Sequence, residues 1–180
     1  MRTSLRRPLR LLILPVALLL LATACQPPKG TVASVDVERY QGTWYEIASI
    51  KQFFSVGLVN TKAEYTVLDD GSIKVVNSGN YVTNGGPLSR IEGRAVAIDP
   101  SNARLNVSFA GSPSTEGDGN YWIVDLDPDY QWAIVSDSKG MTGFILTRQP
   151  KVGADLRAKL MARAKAQGLA VDRFTVTPQH

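Results

Sequence analysis

Cysteine and histidine are nearly absent from this sequence of 180 residues, which contains one of each, Cys25 and His180. A single cysteine cannot form a disulfide bond within the chain, so the core alone has to hold the fold. A single histidine at position 180 offers no Ser-His or Cys-His pair for nucleophilic catalysis. No His and Cys cluster has the spacing of a metal site. The sequence therefore predicts no catalytic residues, no metal and no cofactor.

An excess of basic charge is found only at the start of the chain. The formal net charge of +4 equals the contribution of four arginines, Arg2, Arg6, Arg7 and Arg10, and the first 24 residues contain no acidic residue. The rest of the chain is balanced, with as many basic residues as the 16 acidic ones. Nucleic-acid binding requires a basic stripe on the folded domain. We therefore expect no nucleic-acid partner.

An unbroken apolar run over residues 11–22 follows these arginines. It is shorter than the roughly 20 apolar residues that a membrane-spanning helix needs. A basic start, a short apolar run and small residues after it are typical of a secretory signal peptide. The pattern predicts that residues 1–24 are a signal peptide that is removed on export.

Ala22, Thr23 and Ala24 precede Cys25, and this arrangement resembles the lipobox of bacterial lipoproteins. The resemblance implies that Cys25 becomes the first residue and carries lipid, and two or more acyl chains give stable membrane anchoring. Gln26, in place of an aspartate, favours the outer membrane by analogy. We expect a lipidated tether over residues 25–33, a domain over residues 34–180 and a location in the cell envelope. The alternative is a free cysteine beyond an ordinary cleavage site.

Alternating apolar residues, interrupted by turn sequences, fill most of the remaining chain. Turns rich in Asp, Gly, Pro and Asn at residues 69–71, 99–102 and 127–129 are typical of hairpin connections. The predicted strands cover residues 43–50, 60–68, 73–81, 91–98, 104–109, 121–126, 130–135 and 143–147. Eight antiparallel strands in sequence order predict an all-β, up-and-down barrel, and eight strands enclose one small ligand.

A helical pattern follows the last of these strands, over residues 152–167. Val152, Leu156, Leu160 and Ala164 recur at helical spacing, so they predict an apolar face that covers the outside of the barrel. On the opposite side, Arg157, Arg163 and Lys165 are expected to face water, and Gly168 ends the helix. A final extended piece over residues 173–177 is predicted to join the sheet.

Three motifs in a fixed order resemble those of the lipocalin family. They are Gly42-Thr43-Trp44 at the first strand, Asp127-x-x-Tyr130-x-x-Ala133 between the sixth and seventh strands, and Ile145-Leu146-Thr147-Arg148 at the eighth. The resemblance covers residues 36–176. It is greatest to the bacterial outer-membrane lipoprotein (Blc-type) branch and to apolipoprotein D.

This resemblance implies a role for each motif residue. Gly42, Trp44 and Arg148 would close the narrow end of the barrel, with the arginine lying across the indole ring. The family also implies a hydrophobic small-molecule ligand, here a fatty acid or lysophospholipid, held for storage or transport in envelope maintenance. The implied partners are this ligand and the membrane, and whether the chain forms a homodimer stays open.

Apolar residues expected to face the barrel interior are the candidate ligand contacts. They are Trp122, Val124, Leu105, Val107, Phe109, Tyr81 and Phe144. Trp122 is the leading candidate, because it corresponds to a pocket aromatic of apolipoprotein D-like proteins. Polar candidates near the entrance are Glu64, Asn77 and Asn80. The alternatives are a structural or partner-binding lipoprotein with a filled barrel and, less favoured, an enzyme on the same scaffold.

Overall fold

The computed structural model describes residues 27–180, apart from the side chain of Phe54, so the predicted signal peptide and Cys25 lie outside the described residues. Helix α1 (Val37–Tyr40) precedes the sheet and helix α2 (Ala154–Ala166) follows its eighth strand. The strands are β1 (Gly42–Ile50), β2 (Leu58–Val67), β3 (Ile73–Tyr81), β4 (Leu88–Ala97), β5 (Arg104–Ser108), β6 (Tyr121–Leu126), β7 (Trp132–Ser136), β8 (Gly143–Thr147) and β9 (Phe174–Val176). Short 3-10 turns occupy Phe53–Ser55 and Val171–Arg173.

Strands β1 to β8 form a closed antiparallel barrel. Each strand pairs with the next one along the chain, and β1 pairs with both β8 and β2, which closes the sheet. β9 pairs with the end of β1, over Ala48–Ile50, on the edge that faces away from β8. The predicted eight-stranded antiparallel barrel with a C-terminal helix is confirmed. Closure leaves few free strand edges, which suits a sheet of this size.

The two faces of the barrel wall pack into two separate apolar clusters. The inner cluster contains Trp44, Leu105, Ile123 and Val135. The outer cluster contains Ile134 and Ile145, which pack beneath Leu160 and Ala164 of α2 and beneath Leu169. Strands β7 and β8 are therefore buried on both faces, which is why their sequences lack polar alternation.

Helix α2 lies against the outside of the wall, as predicted, with Leu160 and Ala164 fully buried, but Leu156 of the predicted apolar face is 36% exposed. Gly168 ends the helix with a φ of +94°. Glycine adopts this conformation without strain because it has no Cβ. Arg163 faces water, as predicted, with its side chain 44% exposed, and it also contacts the wall. Its guanidinium donates two hydrogen bonds to the Asp125 carboxylate, at 2.7 and 2.9 Å, and lies over the Trp132 ring.

The segment before α1 packs against the barrel rather than standing clear of it. Pro28 is buried, and the Lys29 N–H donates to the Gln167 carbonyl at the end of α2. Further along, Val32 N–H donates to Ile123 O and Val35 N–H to Ser101 O. Backbone contacts with the domain thus begin inside the predicted tether of residues 25–33.

The C-terminal residues complete the seam between β1 and β2. These strands pair directly only from Gly42 to Tyr45. Beyond that point the Gln179 side-chain amide donates to both Glu46 O and Thr61 O, each at 2.9 Å. Backbone bonds from Asn60 N–H to the Pro178 carbonyl and from Thr177 N–H to the Ile47 carbonyl bridge the same seam.

Candidate ligand-binding site

The end of the barrel that holds Trp44 is tightly packed. The Trp44 indole is fully buried, and its N–H donates to the Tyr40 carbonyl at 2.7 Å. Arg148 lies over the indole ring, 3.8 Å from its centroid. Gly42 has a φ of +94°, and a Cβ there would stand 3.4 Å from the arginine Nη1. The structure thus brings Gly42, Trp44 and Arg148 together at one end.

Arg148 also ties several backbone segments to this end. Its guanidinium donates to the carbonyls of Thr43, Tyr130, Arg39 and Tyr40, at 2.8 to 3.2 Å. Burial lowers the pKa of this arginine below its usual value. The carbonyl contacts replace the lost water and keep the cation charged at neutral pH. This arrangement can stabilise the closed end, and it offers no reacting group.

Leu105, Val107 and Phe144 line the inner wall, as the sequence analysis predicts. Leu105 is buried in the inner cluster, while Val107 and Phe144 pack against that cluster and are only half-buried. An inward-facing side chain that keeps accessible surface has to border a space that solvent can enter. Solvent therefore reaches part of the upper inner wall.

The placement predicted for Trp122 and Val124 is wrong, because both lie on the outer face. Val124 belongs to the outer cluster beneath α2, and Trp122 packs against the same cluster. Register decides this: Trp122 pairs with Arg104, whereas its neighbour Tyr121 pairs with the inward Leu105. The Trp122 indole donates to the Asp118 carbonyl and borders a groove with Gly30, Thr31 and Ser101.

Tyr81 and Phe109 lie at the opposite end of the barrel from Trp44, where they are 42% and 40% exposed. The loops at this end, which we call the mouth, carry further exposed apolar side chains. These are Phe53, Val56, Val82, Leu88 and Met141. An apolar rim of this kind suits the passage of a hydrophobic molecule.

Small residues on the inner face of β3 and β4 make room for neighbouring groups of the barrel. Gly79, Gly93 and Ala95 occupy inward positions, because they share the parity of the buried Val75. The Phe109 ring fills the space beside Gly93, where a Cβ would come within 2.6 Å of it. Of the polar candidates, Asn77 shares this inward parity. By contrast, Glu64 pairs with Lys62, and Asn80 bonds to the Gly86 carbonyl.

A buried ion pair near the mouth escaped the sequence analysis. The Glu46 carboxylate accepts hydrogen bonds from Lys51 at 2.5 Å, from Ser49 at 2.8 Å and from the Thr177 hydroxyl. Glu46 is buried and the Lys51 side chain is 16% exposed. Since the charges and hydrogen bonds satisfy one another, the group can stabilise the seam.

A second missed group consists of three tyrosines in the inner cluster, Tyr40, Tyr65 and Tyr121. The Tyr121 hydroxyl is 2.8 Å from that of Tyr40 and 2.9 Å from that of Tyr65. Burial raises the pKa of Tyr65 to about 12 and raises those of Tyr40 and Tyr121 well above 10. All three are therefore neutral across the physiological pH range.

Within residues 27–180, no group of three or more His, Cys, Asp and Glu side chains is arranged to hold a metal ion. In the same part of the chain, no helix has the length and hydropathy needed to cross a membrane.

Comparison with known proteins identifies the fold and the family. Residues 35–179 match the model of the lipocalin-like domain. The chain is 36% identical to outer membrane lipoprotein Blc of Citrobacter freundii over 160 residues, which cover 86% of this chain and 88% of that protein. It is also 36% identical to apolipoprotein D of Rattus norvegicus over 102 residues, covering 56% and 51%.

Solved structures with little sequence similarity share the same fold. The cockroach allergen Per a 4 superimposes with a TM-score of 0.61 at 18% identity, covering 87% of this chain and 96% of the allergen. The predicted resemblance to the bacterial outer-membrane lipoproteins and to apolipoprotein D is confirmed. With its closed barrel, its three ordered motifs and this family match, the chain belongs to the lipocalins.

Proposed function

We propose that this lipocalin is a lipid-binding lipoprotein of the cell envelope that catalyses nothing. Its ligand is a fatty acid or lysophospholipid, which it stores or transports for envelope maintenance. The observation that carries the proposal is the half-buried inner wall at Val107 and Phe144, which opens towards the apolar mouth. An acyl chain gains about 0.8 kcal/mol for each CH₂ group that such a wall removes from water.

The anchor is the second part of this proposal. Residues 1–24 are removed, Cys25 is lipidated, and the domain beginning at about residue 34 is held at the outer membrane. The lipobox-like sequence before Cys25 supports this, as do relatives that are named outer membrane lipoproteins. Cys25→Ser is expected to abolish incorporation of labelled palmitate and to release the protein from the membrane fraction. Unchanged labelling of that variant would refute the anchor.

Ligand binding can be tested by titrating delipidated protein with the fluorescent fatty acid cis-parinaric acid. Val107→Trp adds volume inside the barrel and is expected to weaken binding more than tenfold. Val96→Trp is the matched control, because Val96 is a half-buried valine of opposite parity to the inward Ala95. Trp122→Ala is also expected to bind normally, since Trp122 lies outside the wall.

The same titration separates the alternatives. If the unmodified protein binds no fatty acid, a structural or partner-binding role with a filled barrel replaces the present proposal. If Val107→Trp and Val96→Trp weaken binding equally, the ligand does not occupy the interior. Turnover of a lipid ester by the pure protein would instead support the alternative that the chain is an enzyme on the same scaffold.

A further inference from the structure

The three tyrosine hydroxyls, which we call the tyrosine cluster, come from distant parts of the chain. Tyr40 is in α1, Tyr65 in β2 and Tyr121 in β6. Their rings pack against one another, with centroids 5.6 Å apart for Tyr40 and Tyr65 and 6.1 Å apart for Tyr65 and Tyr121. Tyr40 also stacks on Trp44 at 4.9 Å. The cluster therefore forms the floor of the interior, directly above the closed end.

Counting protons shows that this cluster needs a further partner. Each hydroxyl has one O–H donor, and the two hydrogen bonds use two of the three donors, whichever way they point. The described residues provide no other hydrogen-bond acceptor to these hydroxyls. A buried donor without an acceptor costs about 1–3 kcal/mol. A third acceptor is therefore required from a molecule in the interior, either water or a ligand.

The position of Tyr121 shows where this acceptor can approach. Tyr40 and Tyr65 are only 3% and 5% exposed, whereas Tyr121 is half-buried although it packs on the inner cluster. Val107, two positions beyond the Leu105 that pairs with Tyr121, is also half-buried. Tyr121 is therefore the member of the cluster with the most accessible surface. An acceptor inside the barrel would meet the cluster at this residue.

The charge of the surroundings selects the kind of acceptor. The nearby Arg148 guanidinium already donates to four backbone carbonyls. Among the described residues, Arg148 is the only cation whose charge acts on these tyrosines, so a carboxylate at the cluster would be a costly buried charge. A neutral carbonyl or hydroxyl oxygen can accept the remaining O–H bond without this cost.

We infer that the tyrosine cluster is a polar subsite that binds an uncharged oxygen at the leading end of a hydrophobic ligand. The inference rests on the proposed binding of lipids in the interior and adds a specificity to it. The preferred ligand is oxygenated at its buried end, so an acyl chain with a terminal hydroxyl or ketone fits better than a plain one.

The test compares plain fatty acids with ω-hydroxy fatty acids of 10 to 18 carbons, each displacing cis-parinaric acid from the full domain. In the unmodified protein, the ω-hydroxy acid of the best-fitting length is expected to bind at least fivefold more tightly than the plain acid of equal length. Tyr121→Phe is expected to remove this preference. Tyr45→Phe is the matched control, because Tyr45 packs on the outer cluster.

A spectroscopic measurement checks the hydrogen bond itself. An acyl chain with a ketone near its end is expected to show a C=O stretch shifted to lower wavenumber when bound, and the shift is expected to vanish in Tyr121→Phe. Thermal melting of each variant confirms folding.

The outcomes separate the two proposals. Equal binding of plain and hydroxylated acids in both proteins would overturn the subsite and leave lipid binding intact. Tighter binding of the dicarboxylic acid of equal length would overturn the inference that the cluster prefers an uncharged oxygen. Failure of every acid to bind would overturn both proposals.

Discussion

The two ends of the barrel differ in how fully their side chains are packed. At the closed end, Trp44 is fully buried and the cation of Arg148 is shared among four carbonyls. At the mouth, Val82 and Leu88 are 76% and 67% exposed. Apolar surface left in water contributes nothing to stability, whereas the same surface in the core stabilises the fold. The comparison indicates that the buried side chains of the closed end stabilise the barrel. The exposed apolar side chains of the mouth are instead available to contact other molecules.

The largest expected effect comes from removing the ring at the closed end. Trp44→Ala is expected to lower the free energy of unfolding by about 3–5 kcal/mol, because a large buried side chain leaves a cavity. Denaturation by urea, followed by circular dichroism, measures the change. Trp122→Ala is the control and is expected to cost clearly less, since Trp122 is only half-buried. Equal losses of stability in Trp44→Ala and Trp122→Ala would contradict the conclusion that the closed end holds the barrel together.

High pH tests the same region through the buried tyrosine at position 65. Its pKa rises from 10 in the unfolded chain to about 12 in the fold, so the unfolded state releases its proton first. The resulting stability is fully present below pH 10 and is lost as pH rises through 12, by about 1.4 kcal/mol per pKa unit. Unfolding measured from pH 9 to 12 should show a shallower fall in Tyr65→Phe. Identical slopes in the unmodified protein and in Tyr65→Phe would show that Tyr65 does not cause the loss of stability.

Arg148→Met is expected to cost about 2 kcal/mol, because it keeps the apolar stem but removes the donor to part-buried carbonyls such as those of Thr43 and Tyr130. Thermal and urea unfolding measure the loss, and fatty-acid affinity is expected to change less than twofold. Arg104→Met is the matched control, since Arg104 is 40% exposed and its partner is Asp99. A loss of affinity without a loss of stability would reverse the assignment of the two ends.

The smallest effect is expected at the mouth and has the opposite sign. Val82 has a φ of +67°, in which a β-branched side chain is strained. Asparagine tolerates this conformation, so Val82→Asn is expected to raise stability by up to about 1 kcal/mol. Differential scanning calorimetry can detect this gain. A marked loss would mean that the exposed valine packs in solution.

Alternation of apolar residues was sufficient to predict the strands, the closed barrel and the covering helix. Alternation failed in β6, where four consecutive residues are apolar or aromatic: Tyr121, Trp122, Ile123 and Val124. Such a run does not show which side chains face the interior of the barrel. Only the pairing of Trp122 with Arg104 shows which face is inside, and that pairing depends on the loop before β6. The sequence of β6 alone could not provide it.

Sites assembled from distant segments were beyond the reach of local patterns. The tyrosine cluster joins residues 56 and 81 positions apart, and no motif links them. Helix α1 is only four residues long, too short for helical periodicity to appear. Its N-cap, Asp36, which accepts from the Glu38 and Arg39 N–H groups, was the one available local signal.

The seam between β1 and β2 has a consequence for the timing of synthesis. Gln179 closes it against Glu46 O, 133 residues earlier in the chain. The part of the seam beyond Tyr45 therefore cannot form fully before residue 179 has been synthesised. A chain truncated before Thr177 would lack these contacts and would expose an unsealed strand to aggregation.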